Sequence, residues 1–220
     1  MTPAIVFDLD GTLIDSAPDL HVALNLTLAE QGVAPMSLEQ TKGFIGHGIT
    51  NLVDQARQAS DLPAAQQAEM VKAMFRHYLA SPAVLTRPYP GAAEALMSLS
   101  AAGFALGLCT NKALVPTLEI LATLGLRQYF GKVIGGDSLP QKKPDPAPLL
   151  AACEGIGRPA LFVGDSEVDA ATAAAAGLPF ALFTKGYRKA PVADLPHALA
   201  FDDYSELSAS VLGGRLALGL

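Results

Sequence analysis

Basic residues are scarce in this chain. Among 220 residues, 15 Lys and Arg stand against 21 Asp and Glu, a net charge of -6, and so little positive charge disfavours nucleic acid as a partner. Charge of either sign is thin, at 16% against 50% hydrophobic residues, which excludes the polar composition of a disordered chain. Cysteine is nearly missing. Cys109 and Cys153 make neither a C-x-x-C pair, nor a zinc spacing, nor a disulfide framework, so a reducing compartment fits best. No apolar run approaches the roughly 18 residues of a membrane-spanning helix, and Met1 to Asp8 hold no basic stretch of the kind that opens a secretion signal. The expectation is a soluble cytoplasmic protein with no membrane partner. There is no internal repeat, and no low-complexity tract beyond Ala171 to Ala176.

What the chain does have is a rhythm. Short apolar runs recur at Ala4 to Phe7, Phe104 to Cys109, Lys132 to Ile134, Ala160 to Val163, Phe180 to Phe183 and Ala198 to Phe201, each of strand length. Between most of them lie stretches with helical spacing, such as Leu114, Leu118, Leu121 and Leu124. Alternating strand and helix predicts a parallel sheet. The strands show no polar alternation, which is what burial on both faces requires, so helices should cover both sides. The fold class is therefore α/β with a doubly wound parallel sheet.

Residues 16–88 break the rhythm. Helical stretches run from Leu20 to Gln31, Ile49 to Ala59 and Gln66 to Leu79 with no convincing strand, and turn-rich segments flank them at Asp15 to Pro18 and Thr86 to Gly91. The economical division is an α/β core of residues 1–15 and 89–220 with a small helical cap inserted at 16–88.

In a doubly wound sheet, ligands sit outside the carboxyl ends of the strands. Those ends here carry Asp8-Leu9-Asp10-Gly11-Thr12, Thr110-Asn111-Lys112, Gly135-Gly136-Asp137 and Gly164-Asp165-Ser166. If strand conformation persists, Asp8 and Asp10 point to one side. Asp165 makes a third acid there, and carboxylates so close must share protons or hold a cation. Mg²⁺, a hard ion with oxygen ligands, is the simplest solution, although Asp-x-Asp-Gly is also the pattern of an ordinary turn.

Together Asp8-x-Asp10-Gly11-Thr12, Thr110-Asn111, Lys143-Pro144 and Gly164-Asp165-Ser166-x-x-Asp169 resemble the four motifs of the haloacid dehalogenase superfamily, whose helical cap matches the insertion. The resemblance implies a Rossmann-like core and a Mg²⁺-dependent phosphohydrolase. It makes Asp8 the nucleophile that becomes an aspartyl phosphate and Asp10 the general acid and base. Thr110 and Asn111 would bind the phosphoryl oxygens, Thr110 having a helix N-cap as its alternative role. Lys143 would neutralise charge, with Lys142 as competing candidate. The metal ligands would be Asp8, the backbone carbonyl of Asp10, and Asp165. Asp169 would hold a metal-bound water or orient Lys143, unless it is a plain surface position, and Ser166 would simply cap a helix. A narrower resemblance, carried by Gly135-Gly136-Asp137-Ser138, Lys142 to Pro148 and Gly186-Tyr187-Arg188, is to bacterial phosphoglycolate phosphatases. It implies 2-phosphoglycolate as the small phosphorylated substrate.

In the insertion, Gly46-His47-Gly48 is the candidate substrate-binding loop, because its glycines permit close backbone approach. His47 has two readings, a contact to a substrate carboxylate or plain exposure. The rivals are a sugar-phosphate phosphatase, a pyrophosphatase or a β-phosphoglucomutase with the same cap, and, from another class, a non-catalytic phospho-acceptor of receiver type. Monomer and homodimer both remain open.

Overall fold

The computed structural model describes residues 2–80 and 83–216. The apolar runs become strands: β1 (Pro3–Phe7) opens the chain and is followed by the two-residue β2 (Ile14–Asp15). Four helices come next, α1 (Ala17–Glu30), α2 (Leu38–Lys42), α3 (Ile49–Ala59) and α4 (Gln67–Ala80), before the equally short β3 (Arg87–Pro88). Alternation then sets in: α5 (Ala92–Ala101), β4 (Ala105–Cys109), α6 (Leu114–Thr123), β5 (Lys132–Ile134), α7 (Ala147–Ala151), β6 (Arg158–Gly164), α8 (Glu167–Ala176), β7 (Phe180–Phe183), β8 (Leu199–Phe201) and α9 (Tyr204–Leu212).

Six strands form one parallel sheet in the order β5-β4-β1-β6-β7-β8. The chain winds from β1 outward through β4 to β5, then returns to β6 on the other side of β1. The switch point is thus the carboxyl end of β1 between β4 and β6, where a doubly wound sheet opens its crevice. Alternation along β1 sends Ile5 and Phe7 into one apolar layer, with Leu96, Leu99, Ile120 and Leu207 from the helices. Ala4 and Val6 enter the other, with Leu149, Ala170 and Ala173. Both faces are covered, as unbroken apolar strands require. Gly103, Gly125 and Gly177 follow α5, α6 and α8 with positive φ (90°, 68° and 67°), where a side chain would be strained.

The insertion is an all-helical cap in which α1 packs on α2 and α4, and α3 packs on α4. Leu52, Val53 and Ala56 give α3 its buried face, and Met70, Met74 and Tyr78 give α4 its own. Two expectations change here. The flanking segments are paired rather than free turns: Ile14 lies opposite Pro88 and Asp15 opposite Arg87 in an antiparallel ribbon. A two-residue strand has no periodicity to read, so the sequence shows only its turn residues. Helix α1 also begins at Ala17 rather than Leu20, because Pro18 sits in the first turn, where the missing N–H has no helical partner to lose. Asp19 then ties the other flank down, accepting the N–H groups of Leu85 and Thr86 and the Thr86 hydroxyl. Among the described residues no helix is long and apolar enough to cross a membrane.

Candidate active site

Pairing with β6 continues past the end of β1, the Asp8 N–H donating to Val163 O at 2.9 Å. The chain then coils tightly, with Leu9 O accepting from the N–H groups of Thr12, Leu13 and Ile14. The coil brings the Thr12 hydroxyl to Asp165 Oδ1 at 2.7 Å, and the Tyr187 N–H donates to Asp165 Oδ2 at 2.6 Å. Glycine is required around this carboxylate. A Cβ on Gly11, whose φ is 88°, would sit 2.5 Å from Asp165 Oδ2, and one on Gly186 would sit 2.3 Å from the Asp165 side chain.

Lys143 is buried between two acids, its Nζ 2.7 Å from Asp8 Oδ1 and 2.6 Å from Asp169 Oδ1. Lys142 is exposed and takes no part. Asn111 fixes the Lys143 backbone from both ends, accepting its N–H on Oδ1 and donating from Nδ2 to its carbonyl, each at 3.0 Å. Asp169 is fully buried, not a surface position. Its Oδ2 takes the Ser166 hydroxyl (2.6 Å) and the N–H groups of Ser166 and Asp165, closing a capping box at the start of α8.

Three buried acids with one buried ammonium leave negative charge without a counter-ion. Burial pushes the Asp8 carboxyl up to about 7 against the pull of Lys143. Burial, reinforced by Asp169 and Asp8, holds Asp165 well above the usual carboxylate range. Burial disfavours the charge on Lys143, but Asp169 and Asp8 outweigh it and keep the ammonium protonated. Carboxylate oxygens of Asp8, Asp165 and Asp169 lie within 4.8 Å of one another. An all-oxygen donor set with excess negative charge fits a hard divalent cation. Because Asp169 Oδ2 already takes three donors, Asp8 and Asp165 are the freer ligands.

A small cavity opens beside Asp8, between the strand ends and the cap. Asp8, Asp10, Thr110, Asn111 and Lys112 line the core side, and Leu20, Ile45, Gly46, Gly48, Ile49 and Leu52 the cap side. Asp8 and Asp10 share this cavity although β1 ends at Phe7. Asp10 accepts the Ser16 hydroxyl at 2.5 Å and the Lys112 ammonium at 3.1 and 3.2 Å. The cap loop meets the core here: Asn111 Nδ2 donates to Gly46 O at 3.0 Å, and a Cβ on Gly48 (φ 84°) would sit 2.9 Å from Asn111 O. His47 is the exception, exposed and outside the lining, since its side chain turns to solvent while the glycine backbone faces in. Thr110 is no helix cap: α6 starts at Leu114, whose N–H is taken by Asp137 Oδ1 at 2.7 Å.

Lys112 and Tyr187, quoted above only within longer motifs, turn out to have places of their own in the site. Lys112 is only 6% exposed, and its place directly after Thr110-Asn111 at a strand end was the available signal. Tyr187 links the acid cluster to the cap hinge. Its N–H holds Asp165, while its hydroxyl donates to Asp15 Oδ1 at 2.6 Å and accepts the N–H groups of Ser16 and Ala17. Nothing local announces a bond across about 170 positions.

The haloacid dehalogenase-like hydrolase family model matches residues 5–183. The chain belongs to that family of hydrolases. A phosphoglycolate phosphatase of Cereibacter sphaeroides is 53% identical over 208 residues, which are 93% of this chain and 95% of the relative. One of Rhodobacter capsulatus is 43% identical over 97% of this chain and 98% of its own length. Among solved structures, a crystal structure described as a predicted phosphoglycolate phosphatase from Haemophilus somnus superposes with a TM-score of 0.87 at 31% identity, covering 97% of this chain and 98% of that one.

Proposed function

We propose that this protein is a Mg²⁺-dependent phosphoglycolate phosphatase of the cytoplasm, hydrolysing 2-phosphoglycolate to glycolate and phosphate. The observation that carries the reaction is the division of labour between two aspartates in one cavity: Asp8 is held by Lys143, and Asp10 is held apart from it by Ser16 and Lys112. The names of the relatives, at up to 53% identity over nearly the whole chain, supply the substrate. A second observation favours a small one, since the apolar side chains of the cap close over the cavity and leave only about 40 Å³.

Asp8 attacks phosphorus as the ester bond breaks, and the glycolate oxygen leaves with a proton from Asp10. Asp10 then takes a proton from water, which attacks the aspartyl phosphate and frees Asp8 and phosphate. The Thr110 hydroxyl and the Asn111 backbone bind the phosphoryl oxygens. Lys143, steadied by Asp169, pulls Asp8 toward its ionised form against burial. Asp8, Asp165 and the Asp10 carbonyl would hold the Mg²⁺, whose chemistry is to offset phosphoryl charge. Residues 1–15 and 89–220 form the catalytic unit and residues 16–88 the cap that shields it from water.

A substrate panel tests this. Steady-state kinetics with Mg²⁺ should rank 2-phosphoglycolate at least ~10-fold above a hexose phosphate and above pyrophosphate in kcat/KM, and chelation should remove turnover on all. A hexose phosphate or pyrophosphate at the head of the ranking would replace the substrate assignment with one of the rivals.

The metal also leaves a pH signature. A carboxyl at about 7 in the folded protein and near 3.8 unfolded binds more protons folded, so without metal Asp8 contributes stability that is lost as pH rises from about 4 to 7. Bound Mg²⁺ cancels that loss. Added Mg²⁺ should therefore raise Tm by roughly 5 °C at pH 7.5 and by much less at pH 5, read by scanning fluorimetry at constant ionic strength. Equal shifts at both values would take Asp8 out of the metal site.

A further inference from the structure

We propose that Lys112 is the specificity-determining residue of this site, its ammonium group reading the carboxylate of the substrate while Asp8 and its neighbours take the phosphoryl end. This rests on the phosphoglycolate reading above and deepens it.

A phosphorylated hydroxy acid of this size carries a charge at each end, and both ends enter one small cavity. Among the residues lining that cavity, Lys112 is the one with a cationic side chain. Lys143 lies outside the lining, between Asp8 and Asp169. The cap offers Leu20, Ile45, Ile49, Leu52 and glycine backbone, and His47 lies outside. A carboxylate buried against that apolar wall without a counter-charge would be strongly disfavoured. Beside Lys112 it has one.

The position follows from the chemistry of the ester. In 2-phosphoglycolate the carboxylate is attached to the carbon that bears the leaving oxygen, so it must lie next to whichever group protonates that oxygen. Lys112 Nζ is 3.1 and 3.2 Å from the two Asp10 oxygens. These contacts are longer than the roughly 2.7–2.9 Å of a strong charge-assisted bond, and the shorter bond to Asp10 belongs to Ser16. An ammonium group has three N–H donors, so Asp10 does not exhaust it. The cap holds it in place: Tyr78 of α4 puts its ring 4.6 Å below Nζ. The Tyr78 hydroxyl is buried beside the same ammonium, so the cap fixes Lys112 where it faces the cavity.

The test is a ratio. Values of kcat/KM for 2-phosphoglycolate and for ethyl phosphate, which keeps the leaving oxygen and lacks the carboxylate, are measured for the full-length wild type, Lys112→Met, Lys112→Gln and Lys112→Arg. Disturbing Asp10 lowers both substrates together and cancels. Either neutral variant should cut the preference for the acid by about 30- to 100-fold, mainly through KM, and Lys112→Arg should recover part of it. If turnover is too slow, binding of the two esters in an Asp8→Asn background, with and without Lys112→Met, gives the same ratio. A preference unchanged in both neutral variants would overturn the proposal and leave Lys112 serving Asp10 alone, with the phosphoglycolate reading intact. A wild type with no preference for the acid would sink that reading before any variant is made, and this inference with it.

Discussion

Asp8→Asn should lower kcat on 2-phosphoglycolate by about 10⁴-fold or more while leaving the protein folded. The amide is nearly isosteric and can still accept from Lys143 through its carbonyl oxygen, so the buried contact at 2.7 Å survives. What it cannot do is form an acyl phosphate, and the two-displacement route closes. The variant should also lose the Mg²⁺-dependent gain in Tm at pH 7.5, since one of three clustered carboxylates is gone. Acid-quenched wild type mixed with substrate should show a phosphoprotein by intact mass, and the variant none. Near-normal turnover in Asp8→Asn would remove this residue from the centre of the mechanism.

Lys143→Met should cost both rate and stability. Lys143 is 4% exposed and bridges Asp8 and Asp169. Removing one partner of a buried ionic group leaves the others uncompensated, at a cost of roughly 3–5 kcal/mol. For a chain of this size that is on the order of 10 °C in Tm. The loss should be larger at pH 8 than at pH 5, because Lys143 is what pulls the buried Asp8 carboxyl toward ionisation, and without it the folded protein holds that proton to higher pH than the wild type does. The rate should fall by about 10³-fold, as the charge facing the transferring group disappears. Lys142→Met is the control: its side chain lies in solvent, so rate and Tm should stay near wild type. Equal losses in the two variants would refute the assignment of the charge to Lys143.

The sheet was legible because its strands are buried on both faces, and a run such as Ala160 to Val163 has no other reading once turn residues bound it. The chemistry was legible because a parallel sheet exposes its strand ends at one edge, so Asp8, Thr110 and Asp165 meet whatever the details of packing. Long-range side-chain bonds were not. Thr12 reaches Asp165 and Tyr187 reaches Asp15 across more than 150 positions, and such partners are set by how elements dock rather than by any local pattern. The cap loop shows the same divide. The glycines of Gly46-His47-Gly48 announced close approach, which Gly48 makes against Asn111. Which way the side chain between them turned depended on a backbone with φ of 127° and 84° on either side. Lys112 was hidden for another reason: a lysine reads as surface unless something buried is known to face it.

The ribbon of β2 and β3 has a consequence for how such proteins diversify. The chain departs from the sheet and comes back to it through two residues lying side by side, so the excursion between them makes a closed loop whose ends are already joined. The entropy of closing a loop grows only slowly with its length. A longer, shorter or wholly foreign helical cassette spliced between Asp19 and Leu85, beyond the Ser16 contact to Asp10, therefore leaves the strand ends where they are, and new chemistry of recognition can be grafted onto an unaltered phosphoryl-transfer floor.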